Sequence, residues 1–198
     1  MLTYKILVFL LKPVFAFLFR IKVTGKENIP EGAAIICANH TSLLDPIVLA
    51  VGVGYKTHIH FMAKRELFKN KILGAILKKI GVIPVNREAV DLQTIRGSLK
   101  VLKEGKKLML FPEGTRIPEK DAKRENVKMG AGMLAARSQA PIVPVYIPGN
   151  KGLFKKTHIV IGKPMQAASG EKTGNGEYMN TALAVFDEIM NLGKVSKQ

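Results

Sequence analysis

The residue types best suited to chemistry stand together in Asn39-His40-Thr41-Ser42-Leu43-Leu44-Asp45-Pro46. Histidine, with an unperturbed pKa of about 6.5, can take the proton of an alcohol near neutral pH. It does so best when a carboxylate holds its other ring nitrogen and stabilises the imidazolium that forms. His40 as general base with Asp45 as its partner therefore suits acyl transfer to a hydroxyl. With an already activated donor, such as a thioester, that reaction needs no enzyme nucleophile. Plainer roles stay open for the same residues. Asp45, just before Pro46, could be a helix N-cap, or could form a capping box with Ser42. His40 could be an ordinary loop histidine.

Cations recur at comparable places. Lys64 follows one apolar stretch, Arg87 closes Gly81-Val82-Ile83-Pro84-Val85-Asn86-Arg87, and Arg116 closes Phe111-Pro112-Glu113-Gly114-Thr115-Arg116. Arginine forks match the oxygens of a phosphate monoester bidentately, and Gly114 would let backbone approach a ligand closely. Each cation alone reads as surface charge; their shared placement points to one anionic ligand. Glu113 could orient a basic residue, hydrogen-bond the ligand or brace the structure.

The elements that must position these residues follow from the apolar pattern. Strands are expected over 33–38, 57–63, 82–85, 107–111, 142–147 and 158–161. Helices are expected over 46–51, 71–80, 90–102, 130–138 and 178–192, the last stopped by Gly193. Residues 117–127 and 167–176 read as loops. This alternation predicts an α/β fold, a single domain with a largely parallel mixed sheet flanked by helices. Four of the polar clusters fall where strands hand over to loops, the usual place for chemistry in such sheets.

The first twenty residues are apolar and aromatic, interrupted by Lys5, Lys12-Pro13 and Arg20. No small-residue cleavage site follows, and an uninterrupted span of about 20 apolar residues is missing. The segment predicts a membrane foot lying at the headgroup boundary. Phe9, Phe15, Phe17 and Phe19 point in several directions on a helix, so one protein face could not bury them all. Residues 1–24 are thus expected to be a membrane-associating segment and 25–198 the α/β domain.

With 31 Lys and Arg against 15 Asp and Glu, a net charge of +16 implies an anionic partner. An anionic membrane, an acidic carrier protein and nucleic acid are the candidates. Basic residues interleaved with exposed aromatics, and any docking motif, are lacking, so nucleic acid is not expected. The lone Cys37, inside an apolar run, excludes an intrachain disulfide and reads as a buried small hydrophobe. His58, His60 and His158 lack metal-ligand spacing, and no metal is expected.

Taken in order, the blocks Asn39–Pro46, Gly81–Arg87, Phe111–Arg116 and Ala140–Val145 resemble those of the 1-acyl-sn-glycerol-3-phosphate acyltransferases, the PlsC-like branch of the glycerolipid acyltransferases. Lys128-Met129-Gly130-Ala131-Gly132 is similar to the basic-Gly-x-Gly run after the family's third block. The second block departs from the pattern, with Pro84-Val85-Asn86 where an aromatic and an acid often precede the arginine. The resemblance implies His40 as base and Asp45 as its partner. It implies acceptor binding by Lys64, Arg87, Glu113, Gly114, Thr115 and Arg116. The acceptor would be lysophosphatidic acid, with acyl-carrier protein or coenzyme A thioester as co-substrate and no bound cofactor. The enzyme would sit on the cytoplasmic face of the cell membrane as a monotopic or peripheral protein. Alternatives are another lysophospholipid, glycerol-3-phosphate or an aminolipid as acceptor, or a catalytically silent membrane scaffold.

Overall fold

The computed structural model describes residues 2–86, 91–167 and 174–196. An apolar helix, α1 (Leu2–Phe19), leads into β1 (Ile21–Thr24), β2 (Ala34–Ala38), α2 (Asp45–Val53), β3 (Ile59–His60) and β4 (Met62–Lys64). Then come α3 (Lys71–Lys79), β5 (Ile83–Val85), α4 (Leu92–Lys103), β6 (Lys107–Leu110), α5 (Gly130–Ser138), β7 (Ile142–Tyr146), β8 (Thr157–Ile161) and α6 (Asn175–Ser196).

Six strands form one sheet in the order β1-β8-β7-β2-β6-β3, and β4 pairs with β5 in a separate ribbon. All pairings are parallel except β7 with β8. The chain is therefore the mixed, largely parallel α/β domain that the alternation predicts. Its central strand β2 is buried at every position, as expected of a strand covered on both faces. Ile36, Val143 and Ile159 pack with Val8 of α1 and Leu49 of α2 on one face. Ile35, Leu108 and Ile142 pack with Leu134 of α5 and Phe186 of α6 on the other. Cys37 lies fully buried in this second layer, and burial pushes its thiol far up from the usual range. Gly132 lets α5 and α6 touch: a Cβ there would lie 2.0 Å from the Tyr178 carbonyl oxygen.

Three features differ from the sequence expectation. The alternating stretch 57–63 is two strands in two sheets, because Phe61 turns inward between them and passes the chain from β6 to β5. The short run Ile21–Thr24 is a strand, paired in parallel with β8. Gly193 does not stop the last helix. It lies inside α6 against Tyr146, where a Cβ would come within 2.6 Å of the ring, so glycine serves packing there.

Helix α1 buries Tyr4, Val8 and Phe19, and Tyr4 donates to the Thr57 carbonyl at 3.2 Å. Its other side is open, with Phe9 at 63% and Phe17 at 69% exposure. By length and composition α1 could cross a membrane; Lys5 and Lys12 both lie exposed along it.

Candidate active site

Strand β2 delivers Asn39 and His40 to the sheet's carboxyl edge. Asn39 locks that edge to the end of β7: its amide nitrogen donates to the Ile147 carbonyl and its oxygen accepts the Ile147 N–H, both at 2.8 Å. His40 follows, and the chain turns through 41–44 into α2. Asp45 closes that turn. One oxygen, Oδ2, accepts the N–H groups of Thr41 (2.7 Å) and Ser42 (2.8 Å) and stands 2.9 Å from His40 Nδ1. Asp45 is the first residue of α2 and makes no cap bond to it. The carboxylate faces back toward the imidazole, and the Ser42 N–H it accepts is one half of the capping box that Ser42 and Asp45 could form, so shaping the turn and meeting His40 coexist at Asp45.

The imidazole is held on several sides. Its ring lies flat on Phe111, centroids 3.8 Å apart and planes 9° apart. Its backbone N–H donates to Glu113 Oε2 at 3.1 Å, and its carbonyl accepts the Ile117 N–H at 2.8 Å. With Nδ1–H given to Asp45, Nε2 keeps a lone pair for a substrate proton. Burial pushes the Asp45 carboxyl up, but the His40 hydrogen bond and the Lys151 charge outweigh it and hold Asp45 below the usual carboxylate range.

Lys151 is the residue that sequence reasoning missed. Its side chain is 2% exposed and its Nζ stands 2.7 Å from Asp45 Oδ1. It also donates to Thr41 Oγ1 at 3.0 Å and to the Pro148 carbonyl. A lysine in the turn-like run Gly149-Asn150-Lys151-Gly152 carries no sequence signal of such a place.

Glu113 is buried at 2% exposure and supplies a brace beneath His40. Burial raises its carboxyl to about 7, the His40 N–H opposing and the Asp45 charge adding to the rise. Gly114 adopts φ 69, and its N–H returns to the Phe111 carbonyl at 3.0 Å. Gly114, Thr115 and Arg116 are exposed, and the bond from the Ile117 N–H to the His40 carbonyl brings the backbone after Arg116 up to that of His40. Lys64 is exposed at the end of β4, in register with Val85. Arg87 lies outside the described residues.

A cavity of about 940 Å³ is lined by Pro148 and Asn150 of the loop that carries Lys151, together with Glu119 and Tyr146. Lys22, Lys120, Lys156, His158 and Lys194 also line it. Among the described residues no group of three or more His, Cys, Asp or Glu could hold a metal. The His58 and His60 rings lie 4.4 Å apart, tilted by 32°, and bond to the carbonyls of Ile80 and Gly81.

Fold and site together define an α/β protein with a hydrogen-bonded His–Asp pair at the carboxyl end of a central parallel strand. The Acyltransferase family pattern matches residues 20–148, and the chain belongs to this family. It is 39% identical over 194 residues to the 1-acyl-sn-glycerol-3-phosphate acyltransferase of Bacillus subtilis, covering 95% of this chain and 93% of that one. It is 30% identical over 170 residues to the Streptococcus pneumoniae protein of the same name, covering 83% and 62%. Among solved structures, the 1-acyl-sn-glycerophosphate acyltransferase PlsC from Thermotoga maritima superposes with TM-score 0.68 at 28% identity, covering 94% of this chain and 79% of that one.

Proposed function

We propose that this protein acylates the free sn-2 hydroxyl of 1-acyl-glycerol-3-phosphate, giving phosphatidic acid, with the His40–Asp45 pair as general base. The observation that carries this reading is the 2.9 Å contact between His40 Nδ1 and Asp45 Oδ2 at the strand end, in a chain whose relatives bear that activity in their names.

The acceptor hydroxyl approaches Nε2 of His40. Its oxygen attacks the thioester carbonyl while its proton passes to Nε2; a C–O bond forms and, as the tetrahedral adduct collapses, the C–S bond breaks. The proton then leaves on the thiol. Asp45 holds the imidazole in the required tautomer and stabilises its cation. Arg116, exposed beside the base, receives the acceptor phosphate with Arg87 and Lys64. Gly114 and Thr115 shape the approach, and Glu113 fixes the backbone from which His40 projects.

The donor is a thioester of acyl-carrier protein or coenzyme A, with no bound cofactor. The cation-lined cavity beside Pro148 offers a place for the phosphate of either arm. The exposed aromatic face of α1 seats the enzyme on an anionic membrane from the cytoplasmic side, which keeps the lipid acceptor within reach.

The test is an acceptor panel in mixed micelles. Lysophosphatidic acid should be acylated faster than lysophospholipids with substituted headgroups or glycerol-3-phosphate. Arg116→Ala should raise the acceptor KM about tenfold or more, the cost of a lost charge-assisted contact. Faster acylation of another acceptor, or a defect confined to the donor, would contradict the assignment.

A further inference from the structure

The segment between β7 and β8 touches both the reactive centre and α1. Near its start the Gly149 N–H donates to Glu119 Oε2 at 3.1 Å. Further on, the Phe154 N–H donates to the Leu18 carbonyl in the last turn of α1, and the Phe154 ring meets Phe17 edge-on, centroids 5.7 Å apart at 84°. Between these anchors Lys151 turns inward to Asp45, Thr41 and the Pro148 carbonyl.

Each of these contacts constrains the next. Asp45 Oδ2 is already occupied by His40, Thr41 and Ser42. Its other oxygen, Oδ1, faces the Lys151 ammonium. An ammonium buried this deeply needs a counter-charge. Lys151 and Asp45 therefore fix each other, and with them the angle at which Oδ2 faces the imidazole. At the junction with α1, Arg20 (φ 42) and Phe154 (φ 64) hold left-handed backbone without being glycine. Such conformations persist where the surroundings over-determine them, and they gather at clamps and switches. Leu153 and Phe154 are 62% and 57% exposed, so the tip of the loop shares the open apolar side of α1.

We infer that Lys151 is a positioning residue for His40, acting through Asp45, and that its loop transmits the seating of α1 to the base. The inference rests on the acyl-transfer reading above. Lys151 and Asp45 pair as opposite charges, Nζ to Oδ1 at 2.7 Å. Loss of the ammonium would leave Oδ1 buried without its counter-charge, with Asp45 held from the Oδ2 side alone. The titratable groups facing Asp45 are His40 from its own turn, Lys151 from the β7–β8 loop and Glu113 from the β6–α5 loop.

The experiment compares full-length wild type with Lys151→Met, Lys151→Arg, Asp45→Asn, the Asp45→Asn/Lys151→Met double variant and Phe154→Ala. Acyl transfer is followed in detergent-saturated mixed micelles with lysophosphatidic acid and an acyl thioester, and circular dichroism checks folding. Lys151→Met should lower kcat about tenfold to a hundredfold, the usual scale for an outer partner of a reactive group, with little change in either KM. Its acid limb should move to higher pH, since Asp45 gains a proton more readily without the cation. Lys151→Arg should recover part of the loss. In the Asp45→Asn background, Lys151→Met should cost nothing further, because the two act as one unit. Phe154→Ala should lower kcat even though micelle binding is not limiting. A Lys151→Met kcat at the wild-type level, or losses that multiply in the double variant, would overturn the positioning role. Wild-type kcat in Phe154→Ala would overturn the link to α1. If Lys151→Met does not fold, Lys151→Gln is judged by the same criteria. Silence of wild type itself would instead strike the acyl-transfer reading.

Discussion

His40 Nδ1 stands 2.9 Å from Asp45 Oδ2, and the same oxygen receives two backbone N–H groups from the intervening turn. The carboxylate thus shapes the loop and orients the imidazole at once. Asp45→Asn should lower kcat by about 10⁴-fold, as expected when the orienting acid of a histidine base becomes an amide that favours the wrong tautomer. A loss of only a few fold would mean that His40 does not need this partner.

Asp45 also predicts a pH dependence of stability. Its folded carboxyl lies below the ordinary range despite its burial, because His40 and Lys151 favour the charged form. The stability it contributes is complete above the unfolded value of about 3.9 and is lost as pH falls through the lower folded value. Thermal unfolding of wild type and Asp45→Asn should therefore differ most above pH 5 and converge toward acid. A gap that widens toward acid would contradict the shift.

Glu113 works in the opposite sense. Burial raises its folded carboxyl to about 7, against about 4.3 in the unfolded chain. Between those values the folded state holds the extra proton, so this group's contribution to stability falls as pH rises. Glu113→Gln removes the titration while keeping an acceptor for the His40 N–H. The Tm of the variant relative to wild type should climb from pH 5 to pH 8. A constant difference across that window would show that Glu113 does not titrate there.

Gly132 sets the distance between α5 and α6. A methyl group there would strike the Tyr178 carbonyl oxygen at 2.0 Å. Gly132→Ala should destabilise the fold by about 1–3 kcal/mol despite the better helix propensity of alanine, measured by denaturant unfolding. A stabilised variant would refute the close approach.

The open side of α1 predicts membrane seating. Charging it with Phe9→Glu and Phe17→Glu should weaken sedimentation with anionic vesicles about tenfold or more, the scale set by two large apolar side chains. Undiminished binding would place the membrane contact elsewhere.

Much of this architecture was legible before any coordinates. The runs that became β2, β6 and β7 are apolar because helices cover them on both faces, and the polar clusters follow where those strands end. His40 and Asp45 could be paired by residue type and spacing because the turn that joins them is local. Three features were hidden for physical reasons. The break at Phe61 is invisible because alternation continues across a change of sheet. Gly193 reads as a helix stop until the Tyr146 ring beside it is known. Lys151 lies 110 residues along the chain from its partner Thr41, and only the parallel order of β2 and β7 brings their loops together.

The central claim is that His40 removes the acceptor's proton in acyl transfer to lysophosphatidic acid. Its most direct test follows phosphatidic acid formed from a thioester donor and lysophosphatidic acid in detergent micelles, comparing wild type with folded His40→Ala. Product from wild type and none from His40→Ala is the predicted result. Equal turnover by the two proteins would contradict the account.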